Sequence, residues 1–447
     1  MSAASLKNSF KTFRGGIHPK LNEKLAQAKE TVISPLPSRV RIPLLQHIGV
    51  PAIAIVKPGD EVKAGQMIGE SAGYVSSPVH ASICGKIKGI KKYPVSMYKY
   101  ANCIEIEANG EDTHVWRDTP GKWQDLSAEK LKDAIVNAGI VGMGGASFPT
   151  HVKLSPPKDK KIDFIIVNGV ECEPYLDADR SIMVEAPERV LTGLQIAMKI
   201  VGCEQGYVGI ESDTPDAIKI MTESAQKYKN IEVVGCELKY PQGAEKQLIY
   251  AVSGREVPSG GLPMDAGAIV INAGTASAIY DAVVYEKPLI ERRLTIVGNV
   301  LPKSINTSVR IGTIISDLIE SVGGFCAEPG KSIMGGPMMG EVLYSLDVPV
   351  LKGTSGLYFQ TKEEAVKYKM LACIRCGRCV DICPAGISPA QICQAIEFGQ
   401  YDLAEKLNIF DCIKCGCCTY VCPSNRELVQ LIKLGEGQLR KKKGKKA

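Results

Sequence analysis

Across its 447 residues the chain has no run long and apolar enough to suggest a membrane span. Its most apolar long stretch, Gly267 to Val284, is interrupted by Asn272 and Asp281 and is rich in small residues, which reads as core strand and helix. The N-terminus lacks the apolar core of a secretory signal, so export is not expected and any membrane attachment should run through partners. A distributed excess of positive charge is also missing. The net charge is +6, and Arg440, Lys441, Lys442, Lys443, Lys445 and Lys446 account for it, leaving the rest of the chain close to neutral. No broad nucleic-acid-binding face follows from such a distribution. The tail itself reads as a solvated, disordered end, or as a contact to anionic lipid or an acidic protein partner.

Apolar residues make up 45% and charged residues 23%, ordinary for a soluble globular protein, and the length suggests three or four domains. The chain does have 16 cysteines. In a chain this large without an export signal, metal binding in a reducing compartment accounts for them better than disulfides. Cys373, Cys376, Cys379 and Cys383-Pro384 form one run, and Cys412, Cys415, Cys418 and Cys422-Pro423 repeat its spacing. Three thiolates at two-residue gaps wrap one corner of a four-iron cube, while the fourth Cys of such a run ligates the other cluster. The reading is therefore two 4Fe–4S clusters, one held by Cys373, Cys376, Cys379 and Cys422, the other by Cys412, Cys415, Cys418 and Cys383. Zinc sites rarely use this spacing, still less twice. Ser388 to Leu407 between the runs reads as helix, which predicts a helical two-cluster ferredoxin type. Cys393 and Cys417 fall outside the repeat and read as buried structural thiols.

Upstream, apolar runs alternate with helical patterns. Helices are predicted at Leu131 to Val141, Val184 to Ile200 and Thr214 to Lys227, and strands at Ile162 to Val167, Gly206 to Ile210 and Ile231 to Val234. That alternation predicts an open α/β layer with parallel strands. Gly142-Met143-Gly144-Gly145-Ala146-Ser147-Phe148-Pro149-Thr150 lies within it. Glycines let backbone amides approach a phosphate or a flat ring, although the loop alone is equally consistent with turn chemistry. After the first strand comes Asn168-Gly169-Val170-Glu171-Cys172-Glu173-Pro174, where ligands of open sheets bind. Its acids suit the polar edge of a flavin or a nicotinamide ribose, or form a solvated acidic loop. Tyr240-Pro241-Gln242-Gly243-Ala244-Glu245-Lys246 is a third loop of this kind.

Gly-x-Gly-Gly-x-x-Phe-Pro-Thr-x-x-Lys followed by Asn-Gly-x-Glu-x-Glu-Pro resembles the flavin- and NADH-binding subunit of respiratory complex I. The chain as a whole, from Phe13-Arg14-Gly15-Gly16-Ile17-His18-Pro19 onward, resembles the RnfC family, a component of Rnf-type ion-translocating electron transport complexes. The resemblance implies FMN bound by Gly142, Gly144, Gly145, Lys153, Asn168, Glu171, Tyr240, Gly243, Asn272 and Thr275. It implies NADH faced by Phe148, Glu173 and Glu245. Met143 stands where complex I has Arg, Ser147 where it has Gly, and Pro258 to Pro263 offers no equivalent of its nucleotide-side Lys. The flavin-binding part of complex I also differs in domain order and carries one cluster rather than two.

Val56 to Ile87 resembles a biotinyl- or lipoyl-type barrel-sandwich hybrid. The stretch Glu70 to Ser77 at its hairpin has no Lys to carry a prosthetic arm, which leaves a docking surface with His80 structural. Ile269 to Asn272, Leu294 to Val297 and helix Thr313 to Val322 resemble the soluble-ligand-binding β-grasp module. The loop Met334 to Gly340 reads as packing. The expected fold is multidomain α/β: a barrel-sandwich hybrid at 1–125, an FMN/NADH-binding domain at 126–262, a β-grasp domain at 263–350, a dicluster domain at 351–430 and a basic tail at 431–447. The resemblance implies a peripheral subunit on the cytoplasmic face of the cell membrane. There it would move electrons between NAD(H), FMN and two clusters, in contact with other subunits and with ferredoxin or another iron–sulfur protein, and without nucleic acid. No acid–base triad or nucleophile is expected, because hydride transfer between cofactors needs none. Two rivals share parts of the pattern: the cobalamin reductase of propanediol use, which lacks the N-terminal barrel, and a non-enzymatic electron-relay adapter.

Overall fold

The computed structural model describes residues 10–20, 25, 31–96, 99–365 and 368–444. Near the N-terminus, strands Arg39–Pro43, Lys99–Ala108, Gly85–Ser96 and Glu61–Val62 form one antiparallel sheet, and Ile53–Ala54, Met67–Glu70 and Val79–His80 form a second. Side chains alternate along Gly85–Ser96, so Ile87 meets Ile106 across the ladder and Ile42 meets Ile104, all of them fully buried. That period of two closes the sandwich around an aliphatic core.

A second layer is a four-stranded parallel sheet in the order Ile231–Cys236, Gln205–Glu211, Phe164–Gly169, Ala268–Asn272. Strand Ala268–Asn272 and the helix Ala273–Val284 after it belong here, not to the β-grasp module that the 262/263 boundary would assign. The register pairs Asn168 with Asn272, so two asparagines end adjacent strands side by side. The single helix expected at Val184 to Ile200 is two, Ala178–Glu185 and Pro187–Val201, because Pro187 restarts the chain after Ala186. Helix Pro187–Val201 crosses helix Ala273–Val284 so closely that a Cβ on Gly193 would lie 1.9 Å from the Ala276 carbonyl oxygen.

The third layer is a six-stranded sheet ordered Thr31–Ile33, Ile305–Arg310, Glu291–Gly298, Gly356–Gln360, Lys331–Met334, Glu341–Leu343. It recruits Thr31–Ile33 from the N-terminal side and Gly356–Gln360 from beyond residue 350, so the expected domain limits cut through it. Helix Ile315–Ser321 covers a core of Leu294, Ile296, Leu318 and Phe359.

The C-terminal module is helical. The helix expected at Ser388 to Leu407 breaks into Pro389–Glu397 and Tyr401–Lys406 at Gly399, whose φ is +69°. The expected disordered tail is instead the end of helix Leu428–Gly444, which packs Ile432 and Leu439 inward. Its cations pair within the chain: Lys442 with Asp402 at 2.7 Å, Lys443 with Glu405 at 2.6 Å and Arg440 with Glu436 at 2.7 Å. Lys445 and Lys446 lie outside the described residues. Among the described residues, no helix is long and apolar enough to cross a membrane.

Candidate flavin and iron–sulfur sites

The glycine loop closes on itself through a hydrogen bond from the Gly142 amide to the Phe148 carbonyl, 2.8 Å, beside a bridge between Val141 and Pro149. Its floor is built from buried groups. The Met143 amide donates to Thr275 Oγ1 at 2.9 Å, and the buried Arg292 guanidinium lies against the Met143 sulfur and donates to the Thr354 carbonyl at 3.1 Å. Gly144, Gly145 and Ala146 are left exposed above that floor. A Cβ on Gly144 would meet Asn272 at 3.0 Å, and one on Gly145 would meet nothing within 4 Å. Bare backbone over open space, ringed by Asn272, Thr275 and the ends of two parallel strands, fits a flat ring with a phosphate tail.

Asn168 accepts from the Val170 amide at 3.0 Å and donates to the Gly243 carbonyl at 2.8 Å, tying the third loop to the sheet. Lys153 donates to Glu245 at 2.7 Å and to the Val270 carbonyl at 2.8 Å, which brings together one residue expected at FMN and one expected at NADH. Phe148 is half-buried beside this rim.

Two expected flavin residues are turned elsewhere. The Glu171 carboxylate accepts the amides of Ala178 at 3.2 Å and Asp179 at 2.8 Å, so it caps helix Ala178–Glu185. Burial, with Asp179 and Asp177 nearby, pushes its pKa well above the carboxylate range. Tyr240, 1% exposed, donates its hydroxyl to the Cys415 carbonyl at 2.7 Å. Glu173 accepts the Met338 amide at 3.1 Å, lies 3.4 Å from the Tyr240 hydroxyl, and is pushed up in pKa by burial.

Each cysteine void mixes the two runs. Cys412, Cys415, Cys418 and Cys383 line one, whose other walls include Cys417, Ile382, Ile413 and Ile432. Cys373, Cys376, Cys379 and Cys422 line another with Leu428 and Ile374. Among the described residues no three His, Cys, Asp or Glu side chains gather as a mononuclear metal site would require. Cysteines set around an apolar void, rather than around a point, fit a cube of iron and sulfide. Cys393 and Cys417 are buried; both lie outside the expected ligand sets, but Cys417 also lines the first void, where it packs with Ile17 and Tyr240.

Sequence reasoning missed how closely the flavin loops are joined to the cysteines around the void of Cys412, Cys415, Cys418 and Cys383. Gly16 donates to the Ile382 carbonyl at 2.8 Å, Ile17 and Tyr240 exchange backbone bonds, and Gln247 donates to the Pro384 carbonyl at 3.1 Å. Met338, in a loop read as packing, sits between Glu173 and Gly416. The local signal was the Phe13 to Pro19 segment, whose glycines leave room that a side chain would fill: a Cβ on Gly15 would lie 2.9 Å from the Ile382 carbonyl oxygen.

Comparison with known proteins agrees with this layout. Residues 11–111 match the family described as RnfC Barrel sandwich hybrid domain, 135–281 the Nuo51 FMN-binding domain, and 365–423 the 4Fe-4S dicluster domain. The FMN-binding match runs past residue 262, as the parallel sheet does. The chain is 47% identical over 397 residues to the RnfC-type subunit of the proton-translocating ferredoxin:NAD(+) oxidoreductase complex of Clostridium ljungdahlii, covering 89% of this chain and 86% of that one. It is 44% identical to the corresponding subunit of the Na(+)-translocating ferredoxin:NAD(+) oxidoreductase complex of Acetobacterium woodii, covering 88% and 89%. To that of the ion-translocating oxidoreductase complex of Rhodobacter capsulatus it is 40% identical, covering 100% and 87%. With a barrel sandwich, a flavin-type α/β domain and a dicluster module matched in this one chain, and with these relatives aligned over most of its length, the chain belongs to the RnfC family, one of the subunits of ion-translocating ferredoxin:NAD(+) oxidoreductase complexes.

Proposed function

We propose that the chain is the peripheral NADH-handling subunit of a membrane ferredoxin:NAD+ oxidoreductase coupled to ion movement, held on the cytoplasmic face by its partner subunits. FMN, once bound, exchanges a hydride with nicotinamide and single electrons with iron–sulfur centres. The residues of the chain supply position. Gly142, Gly144 and Gly145 offer backbone to the ring and phosphate, with Lys153, Asn168, Gly243, Asn272 and Thr275 around them. Glu171 and Tyr240 act as positioning residues, through the helix cap and the link to Cys415. Phe148, Glu173 and Glu245 face the nicotinamide nucleotide, and Cys383 and Cys422 cross between the two clusters.

The observation that carries this reading is the Tyr240 hydrogen bond to Cys415, which couples a flavin-domain loop directly to a cysteine of the second run. A relay from flavin to cluster needs such contact, because electron tunnelling fades steeply with distance. Residues 11–111 match the barrel that the cobalamin reductase lacks, which disfavours that rival. The test is spectroscopic: with flavin restored, adding NADH should bleach the flavin absorbance, and an unbleached flavin would defeat the dehydrogenase assignment.

A further inference from the structure

The two cysteine runs are copies of one loop whose surroundings differ. In the second copy, Gly416 lies under Met338, with 3.4 Å between a Cβ there and the Met338 carbonyl oxygen. Ile413 packs into the cluster formed by Tyr240, Ile17 and Cys417, and Lys414 is paired with Glu436 at 2.6 Å. In the first copy the corresponding positions are bare. A Cβ on Gly377 would meet nothing, Ile374 is 67% exposed, and Arg375 makes no ion pair among the described residues. Cys373 and Cys376 are themselves exposed, with Met370, Leu371 and Val380 exposed around them. Lys369 and Arg378 also make no ion pair among the described residues, so the stretch from Tyr368 to Asp381 carries three unpaired cations against the single acid Asp381. The neighbouring Arg426 is neutralised by Glu397.

We propose that this bare face is the docking surface for an acidic iron–sulfur protein domain, which exchanges electrons one at a time with the cluster of Cys373, Cys376, Cys379 and Cys422. The proposal rests on the relay reading above and names its outer partner. An apolar centre with a cationic border is the anatomy of an electrostatically steered interface. The buried copy is covered within the same chain: Met338 of the third layer lies over its glycine, and Tyr240 of the flavin domain packs with its isoleucine. In the exchange one electron leaves the reduced centre of one protein and reduces the centre of the other, with no bond formed or broken and no proton moved.

The test uses the full chain with flavin and clusters restored and an acidic two-cluster bacterial ferredoxin as probe. Affinity is measured against salt, and carbodiimide cross-links are mapped by mass spectrometry. The expected results are affinity that falls steeply with salt, cross-links at Lys369, and about tenfold or greater weakening in the Arg375→Glu/Arg378→Glu variant and in Lys369→Glu. Unchanged affinity in variants whose two clusters remain visible by EPR, or cross-links confined to another face, would overturn the proposal. If Arg375→Glu/Arg378→Glu loses its cluster, Lys369→Glu decides alone, a tenfold loss supporting the proposal and no loss overturning it. Failure of NADH to bleach the wild-type flavin would strike the dehydrogenase reading, whereas the binding data would still decide the docking surface.

Discussion

Lys352 is fully buried where three domains meet. Its ammonium donates to the Gly139 carbonyl at 2.7 Å and the Pro78 carbonyl at 2.8 Å, and its backbone amide donates to Gln46 of the barrel at 2.9 Å. His47 and His80 face it, and burial, reinforced by its charge, lowers them to about 4 and about 3. Burial lowers Lys352 itself from 10.5 to about 7. A folded-state pKa below the unfolded one means that between pH 7 and 10.5 the unfolded chain holds a proton that the native chain has lost. The contribution of Lys352 to stability should therefore rise with pH across that window, by up to about 1.4 kcal/mol per pH unit. The full swing is on the order of 5 kcal/mol, which the two carbonyls, by solvating the ammonium, should cut to between about 2 and 5 kcal/mol. Lys352→Met removes the titrating group, so the stability of the wild type relative to the variant should climb from pH 7 to 9.5, other shifted groups such as Glu211 contributing equally to both. Below pH 6.5 the wild type should lose stability as the two histidines are forced to charge, and the variant should lose less. Urea unfolding followed by tryptophan fluorescence suits the question, because both tryptophans, Trp116 and Trp123, pack against hydrophobic clusters that include barrel residues. Equal slopes in the two proteins above pH 7 would refute the argument.

Cys383→Ser should abolish the cluster built on Cys412, Cys415 and Cys418 while sparing the other, and Cys422→Ser should do the reverse; EPR with iron counting separates the outcomes, and loss of only the cluster of Cys373, Cys376 and Cys379 in Cys383→Ser would defeat the crossed assignment. Glu173→Gln combined with Phe148→Ala should lower NADH turnover about tenfold or more with both clusters intact, whereas a relay adapter would keep its transfer rate. Gly193→Ala should destabilise the chain by about 1–3 kcal/mol, read as a lowered Tm, because its methyl must displace the Ala276 carbonyl.

What was legible in the sequence was local. The cysteine spacing picked out the groups of cysteines that line the two voids, and alternation located the strands of the parallel sheet to within two residues at each end. The assignment of strand Ala268–Asn272 was not legible, because an apolar run buried on both faces announces a buried strand without saying which sheet it joins. Thr31–Ile33 and Gly356–Gln360 enter the third sheet through pairings with partners distant in sequence, which no local pattern records. Glu171 was placed by motif at the flavin, yet the amides of Ala178 and Asp179 claim its carboxylate. Charge in the tail suggested a solvated end, but Leu439 and the partners Asp402 and Glu405 hold it as helix, and a helix's partners are set by packing rather than by composition.

The proposed relay passes electrons between the flavin site and the crossed clusters within one chain. Titration of the flavin-restored protein with NADH, followed by visible and low-temperature EPR spectra, tests it most directly. Flavin bleaching should be accompanied by the signals of reduced 4Fe–4S clusters, with two clusters counted per chain. A bleached flavin beside clusters that stay oxidised under NADH, yet are reduced by dithionite at a potential NADH can reach, would contradict it.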